Sequence, residues 1–255
     1  MRNIDINCDM GESFGPWRMG ADEQVMPHIT SANIACGAHA GDATVMRRTV
    51  AMARSAGVAV GAHPGFADLQ GFGRREMIVD PREMEDALLA QVGALEAIAR
   101  AEGSRLQHVK AHGALYNMAA RDRALADAIA RAIKAFDASL IMFGLPNSLM
   151  IDAGKAAGLR VAAEGFADRA YQPDGSLTPR SQAGAVIHDP EVVVARAVKM
   201  ATAGVVVTPD GREIALRVDT ICVHGDTPGA SELTRRIRAA LAAAGADVRP
   251  VGEWL

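Results

Sequence analysis

The sequence predicts an α/β protein, a TIM-barrel-like (β/α) barrel of seven or eight mostly parallel strands. Two observations carry that expectation, and the length agrees with it. Short, wholly apolar runs such as Val58-Ala-Val-Gly-Ala stop abruptly at an ionisable side chain and then a Gly or Pro, as in His63-Pro64-Gly65. Runs this short, bounded by turn residues, are those of buried parallel strands. Helical stripes alternate with them across connections of one or two residues, the rhythm of a parallel β-α-β sheet. A length of 255 residues suits one barrel domain spanning 1–255. An open doubly wound sheet is the alternative.

The first strand runs through Ile4-Asp-Ile-Asn7-Cys-Asp9, and its Asp5 and Asn7, two apart, point into the barrel mouth or interior. A Gly-rich loop through Glu12 and Trp17 leads to a short helix near Asp22–His28. The second strand, about Ala32–Cys36, ends in Gly37-Ala-His39. Asp42 caps a helix over Ala43–Ala56, whose Val45, Met46, Thr49, Val50 and Ala53 form an inward stripe, and Gly57 stops it. After the third strand, Val58–Ala62, a long loop from His63 to Met77 has the length of a lid or binding loop. Asp80-Pro81-Arg82-Glu83 places a cap, a first-turn Pro and an acid at the start of a helix reaching about Glu102. The fourth strand, Leu106–Lys110, leads to His112 and Tyr116. A helix near Arg121–Phe136, a strand over Ser139–Phe143, a helix ending at Ala157 and a sixth strand over Leu159–Glu164 follow. Asp189-Pro190-Glu191 repeats the cap chemistry. Residues 205–218 form an antiparallel hairpin outside the β-α repeat. The last strand, Thr220–His224, ends at Gly225-Asp226, before a closing helix over Ser231–Ala244.

Composition excludes several function classes. Lys and Arg number 27 against 30 Asp and Glu, a net charge of -3, so no basic excess exists to neutralise nucleic-acid phosphates or an anionic membrane. Aromatics at 4% are too sparse for base-stacking platforms. No apolar run approaches the ~18 residues of a membrane span, and the N-terminus lacks the apolar core of a secretion signal. Three cysteines, Cys8, Cys36 and Cys222, sit in or beside strands, as reduced core residues of a cytoplasmic protein do.

Four of the seven histidines, His39, His63, His112 and His224, fall just beyond a strand. One such His alone has a structural explanation as a loop hydrogen-bonder. Four at corresponding ends of different strands converge in a barrel, which favours a shared site. His28, His108 and His188 lack that placement and are structural. Asp9 and Glu12 follow the first strand, Glu164 and Asp168 the sixth, and Asp226 the last. Buried acids need partners, and Lys110, Arg169 and Arg180 are the nearest by topology; an ion-pair network that merely closes the barrel is the bland alternative. No H-x-x-x-H or H-E-x-x-H spacing puts two ligands on one helix face, so no firm metal site is expected, although one assembled from separate strands stays open. Gly154-Lys155-Ala156 lacks the other residues of a P-loop, Gly71-Phe-Gly73 the third Gly of a dinucleotide fingerprint, and no G-x-S-x-G turn is present.

Five blocks carry a resemblance: Ile4-Asp-Ile-Asn-Cys-Asp-Met-Gly-Glu-Ser-Phe-Gly, Ser31-Ala-Asn-Ile-Ala-Cys-Gly-Ala-His-Ala-Gly-Asp, Gly61-Ala-His-Pro-Gly-Phe-Ala-Asp, Val109-Lys-Ala-His-Gly-Ala-Leu-Tyr-Asn and Val223-His-Gly-Asp. Together they resemble the LamB/YcsF family, over the span from Asn3 to Asp226. The resemblance implies a (β/α) barrel related in fold to the polysaccharide deacetylases. It also implies an ATP-dependent 5-oxoprolinase activity, cleaving 5-oxoproline to L-glutamate with hydrolysis of ATP (with Mg) to ADP and phosphate, in concert with separate B and C subunits. Strand-end placement then makes Asp9 or Glu164 the expected base, and His63, His112 or His224 an acid or orienting group. Lys110 and Arg180 are the expected anion binders, with Asn7, Glu12, His39, Tyr116 and Asp226 around the substrate. Replacing Lys110 or His112 by Ala is expected to abolish turnover with thermal unfolding nearly unchanged. Two rivals stand beside this expectation: a metal-dependent amide or acetyl hydrolase acting alone, and a non-catalytic substrate-binding subunit.

Overall fold

A computed structural model describes residues 2–225 and 229–255. Strands β1 (Arg2–Met10), β2 (Ser31–Ala35), β3 (Ala59–His63), β4 (Leu106–Val109), β5 (Ile141–Gly144) and β6 (Arg160–Phe166) pair in chain order, all parallel. A two-stranded antiparallel excursion, β7 (Val205–Val207) with β8 (Glu213–Ala215), precedes β9 (Thr220–Val223). β9 pairs with both β6 and β1, so seven parallel strands close into a barrel. A last short strand, β10 (Ala246–Val248), adds in parallel to the start of β1.

Helices α1 (Asp22–Val25), α2 (Ala43–Ser55), α3 (Pro81–Ala101), α4 (Gly113–Ala119), α5 (Arg123–Phe136), α6 (Leu149–Ala156), α7 (Pro190–Ala203) and α8 (Ala230–Ala243) fill the connections. Their starts follow the cap chemistry: Asp42 accepts from the amides of Thr44 and Val45, Asp80 from Arg82, and Asp189 from Glu191 and Val192. None of the described helices is long and apolar enough to cross a membrane. α4 and β10 were not expected. α4 spans only seven residues and has no side-chain cap, and β10 spans three. Neither is long enough to show a period.

The two faces of β1 separate two environments. Ile4, Ile6, Cys8 and Met10 are fully buried in the apolar layer shared with the helices. Asp5, Asn7 and Asp9 take the opposite parity, toward the axis. In this part of the barrel the interior is a hydrogen-bonded polar column, where a layer of branched apolar side chains is the common solution. Asp5 accepts from the hydroxyls of Thr30 (2.6 Å), Ser31 (2.7 Å) and Thr220. One layer higher, Asn7 donates to Thr220 Oγ1 at 2.7 Å, and Asn33 donates to Asn7 Oδ1 at 2.7 Å and Asp9 Oδ1 at 2.8 Å. His108 Nε2 bonds Asn33 Oδ1 at 2.8 Å, and its ring stacks on Phe143 with centroids 4.2 Å apart. Gly61 makes room for it: a Cβ there would lie 2.0 Å from His108 Nε2. His108 is thus a packed, hydrogen-bonded core residue, as its mid-strand position suggested. All three cysteines are buried free thiols.

Candidate active site

The polar column ends in an ion-pair cluster at the carboxyl edge of the strands. Lys110 directly follows β4, Asp9 sits near the end of β1, and Glu164 lies within β6. Lys110 Nζ stands 2.7 Å from Asp9 Oδ1, 2.8 Å from Glu164 Oε1, 3.2 Å from Cys222 Sγ and 3.4 Å from Asn7 Oδ1. The lysine is only 3% exposed, and Glu164 is fully buried. Burial would lower the ammonium, yet Asp9, Cys222 and Glu164 outweigh it and hold Lys110 charged well above its ordinary range. Burial would likewise raise Asp9, but His63 and Lys110 hold it well below the usual carboxylate range. One ammonium bridging two acids is the arrangement a buried charge requires.

Beside this cluster lies a group of three imidazoles and a carboxylate. His63 closes β3, His112 stands at the start of α4, His39 follows β2, and Glu12 follows β1. His63 Nδ1 bonds the Lys110 carbonyl at 2.9 Å, and its Nε2 lies 2.9 Å from His112 Nδ1 and 3.4 Å from Asp9 Oδ2. His112 Nε2 bonds the Phe72 carbonyl at 2.8 Å. The His39 ring stacks flat on His112, centroids 3.7 Å apart, and Glu12 Oε1 stands 3.8 Å from His39 Nε2 and 3.7 Å from His112 Nδ1. Burial is the first cause that pushes His112 down to about 3 and His39 well below its ordinary value, so both are neutral donor groups. One ligand atom from each of Glu12, His39, His63 and His112 falls within 4.8 Å of the others, spacing that could hold one metal ion. The loop after β3 packs over these rings through glycines. At Gly73, with φ +62°, a Cβ would meet His112 Cδ2 at 2.8 Å and His39 Cβ at 2.9 Å.

A third group faces the same opening. His224, just after β9, bonds Asp168 Oδ2 through Nδ1 at 2.6 Å, while Arg180 Nη2 lies 2.9 Å from Nε2. A guanidinium only donates, so Nε2 accepts and Nδ1 carries the proton. Burial would raise Asp168, but its partner His224, with Arg169 and Arg180, keeps it low.

A cleft of about 930 Å³ joins these groups. Asp9, His63, Lys110, His112, Tyr116, Arg180 and His224 all border it. Tyr116 is buried, and burial together with the Glu164 carboxylate pushes its phenol well up, so it stays protonated. Glu164 lies against Lys110, Asn7 sits within the polar column, and Glu12 and His39 complete the imidazole cluster; none of these four is among the cleft-bordering residues. Asp226 lies outside the described residues. Arg169 is taken up by the backbone, donating to the carbonyls of Ala185 and Thr178. Sequence reasoning placed Asp168 at the exit of β6 without giving it a part in the site, and passed over Asn33 and Thr220. Their signal was polar residues inside otherwise apolar strands.

Comparison with known proteins agrees with this architecture. The family model described as the LamB/YcsF family matches residues 4–255. A protein of Methylococcus capsulatus, named as the A subunit of 5-oxoprolinase, is 56% identical over 254 residues, covering 100% of this chain and 98% of that one. One of the same name from Symbiobacterium thermophilum is 56% identical over 252 residues, 99% and 97% of the two chains. The crystal structure of a lactam utilization protein from Thermus thermophilus superposes with a TM-score of 0.92 at 48% identity, covering 97% of this chain and 99% of that one. A T48 deacetylase, 13% identical with a TM-score of 0.52 over 98% of this chain and 88% of its own, shares the fold. With the family model matching all but the first three residues, the chain belongs to the LamB/YcsF family.

Proposed function

We propose that this chain is the A component of a 5-oxoprolinase, which with B and C subunits opens the lactam of 5-oxoproline to L-glutamate, coupled to hydrolysis of Mg-bound ATP to ADP and phosphate. The observation that carries the reading is the buried Lys110 ammonium shared by Asp9 and Glu164, in a cleft bordered by imidazoles. The names of the relatives, 55–57% identical for several of them, support it. A five-membered lactam is an unstrained, resonance-stabilised amide. Phosphorylating its oxygen activates the carbonyl carbon for attack by water. The C–N bond then breaks and the nitrogen takes a proton, leaving an acyl phosphate; a second water releases its phosphoryl group as phosphate, and the carbon becomes the side-chain carboxylate of glutamate. Such chemistry needs a proton acceptor for the water, a donor for the nitrogen and cations for the substrate carboxylate and the phosphoryl group.

In this reading Asp9, open to the cleft, is the base, and Glu164, enclosed against Lys110, balances its charge. His224, its Nδ1–H held by Asp168, serves as the proton donor once Arg180 turns from Nε2 to a substrate anion and Nε2 takes up a proton. Lys110 and Arg180 bind the anionic groups, and Tyr116 contributes a hydroxyl donor. His63 and His112 orient Asp9 and the loop after β3. Asn7 holds the Asp9 layer through Asn33, and Glu12 and His39 support His112. Asp226, which follows β9 in the sequence, is proposed to contact substrate. The buried free thiols support a cytoplasmic location.

The test is glutamate release from 5-oxoproline by this chain alone and with the B and C subunits, each with and without ATP. Release only in the complete, ATP-containing mixture is expected. Release by this chain alone without ATP would replace the reading with a stand-alone amide hydrolase. Undiminished release by a Lys110→Ala complex would remove Lys110 from the machinery.

A further inference from the structure

We infer that Glu12, His39, His63 and His112 form a binding site for one divalent transition-metal ion of the zinc class. The inference is independent of the activity proposed above. The segments after β1, β2 and β4 and the last residue of β3 deliver the four side chains, so the fold itself assembles the group. Donor separations of 2.9 Å (His63 Nε2 to His112 Nδ1), 3.7 Å (His112 Nδ1 to Glu12 Oε1) and 3.8 Å (His39 Nε2 to Glu12 Oε1) bracket the tetrahedral value. Metal–nitrogen bonds of about 2.0–2.1 Å set tetrahedral donors roughly 3.3 Å apart.

Counting protons gives the second argument. His63 Nδ1 faces the Lys110 carbonyl and His112 Nε2 faces the Phe72 carbonyl. A carbonyl oxygen only accepts, so each of those nitrogens carries its ring's proton. In neutral rings the remaining nitrogens, His63 Nε2 and His112 Nδ1, are both lone pairs, and they point at each other across 2.9 Å. A cation must lie against them. One extra proton would satisfy that pair, and so would a metal ion.

His39 decides between the two. Its ring is 1% exposed, and among the described residues neither of its nitrogens makes a hydrogen bond. A proton shared by His63 and His112 does nothing for His39. A metal ion takes lone pairs from all three imidazoles and from the Glu12 carboxylate. The carbonyls of Lys110 and Phe72 are then the outer partners that fix each ring's tautomer, as metal-bound imidazoles require. Three imidazole nitrogens and one carboxylate oxygen suit Zn²⁺, Co²⁺ or Ni²⁺, and suit Mg²⁺ and Ca²⁺ poorly because those ions select oxygen.

The experiment uses the full chain, stripped with a chelator and titrated calorimetrically with ZnCl₂ and, separately, MgCl₂. One Zn²⁺ per chain, a raised melting temperature and no comparable Mg²⁺ binding are expected. Co²⁺ should give the visible absorption of a low-coordinate nitrogen-rich site. His39→Ala should weaken Zn²⁺ binding by roughly 100-fold or more. Absence of both Zn²⁺ heat and Co²⁺ absorption in the unsubstituted chain overturns the inference, as does equal affinity for Mg²⁺ or undiminished Zn²⁺ binding by a folded His39→Ala chain. Should His39→Ala fail to fold, the Co²⁺ spectrum of the unsubstituted chain decides.

Discussion

Lys110 shows how much one side chain carries here. At 3% exposure, its ammonium is the cation between Asp9 and Glu164. Lys110→Ala would leave two carboxylates buried without it, and breaking a buried pair costs about 3–5 kcal/mol. The structure therefore revises the expectation that unfolding stays unchanged: Lys110→Ala should lose both turnover and stability, the latter measurable by urea denaturation. His224 is a different case, since its orientation rests on Asp168 at 2.6 Å. Asp168→Ala should lower kcat roughly 100-fold, the lower end of what a general acid contributes, with little change in KM. Equal loss in kcat and thermal stability would assign Asp168 to the framework alone.

At the scale of elements, the segment between β6 and α7 is held by two arginines. Arg196 of α7 donates to the carbonyls of Ala167 (2.9 Å), Arg169 (2.7 Å) and Val207 (2.8 Å). Arg169 in turn donates to Ala185 and Thr178, which encloses the loop that carries Arg180. Arg196→Met keeps the apolar stem but orphans three carbonyls, a loss on the order of 3 kcal/mol. Limited proteolysis should then cut faster within residues 167–189, and KM should rise more than kcat falls, because Arg180 is only positioned by this loop. The loop after β3 has the opposite design, with no room to spare. Gly73→Ala would force a Cβ against both His112 and His39 from a left-handed backbone. A destabilisation of roughly 1–2 kcal/mol is expected from the backbone alone, read from the thermal midpoint.

At the scale of the molecule, the polar column makes barrel stability depend on pH. Burial pushes Asp5 up to about 6, against the lowering effect of its Thr220, Thr30 and Ser31 hydrogen bonds. A folded-state value above the unfolded one means that the native barrel holds this proton more tightly. Its contribution is complete below the unfolded value near 3.8 and is lost as pH rises through about 6. Between pH 5 and pH 8 the chain should lose on the order of 1 kcal/mol from this group. Asp5→Asn should flatten that part of the slope, which urea melts of both chains at the two pH values would show.

Apolar runs that stop at a charged residue, together with the Asp42, Asp80 and Asp189 caps, are local signals, and they made the strands, their order and most helices legible. The same local signal marked Asp9, His63, Lys110, His112 and His224, because closing a barrel brings every strand end to one rim. α4 and β10 escaped because seven and three residues hold too little pattern to stand above the background. Depth was not legible either: Asn7 and Asp9 share a face of β1, yet one sits within the column and the other borders the cleft. Nor did spacing along the chain announce that His39, His63 and His112 would meet with Glu12, or that Lys110 would bridge Asp9 and Glu164. Those meetings are set by strand register, such as Asn7 opposite Cys222 and Ala35 opposite His63, and by a loop whose glycines let it close over the rings. Periodicity and capping act within a few residues and belong to the sequence; proton and ion-pair partners act across a few ångströms, and only the closed barrel decides which side chains share them.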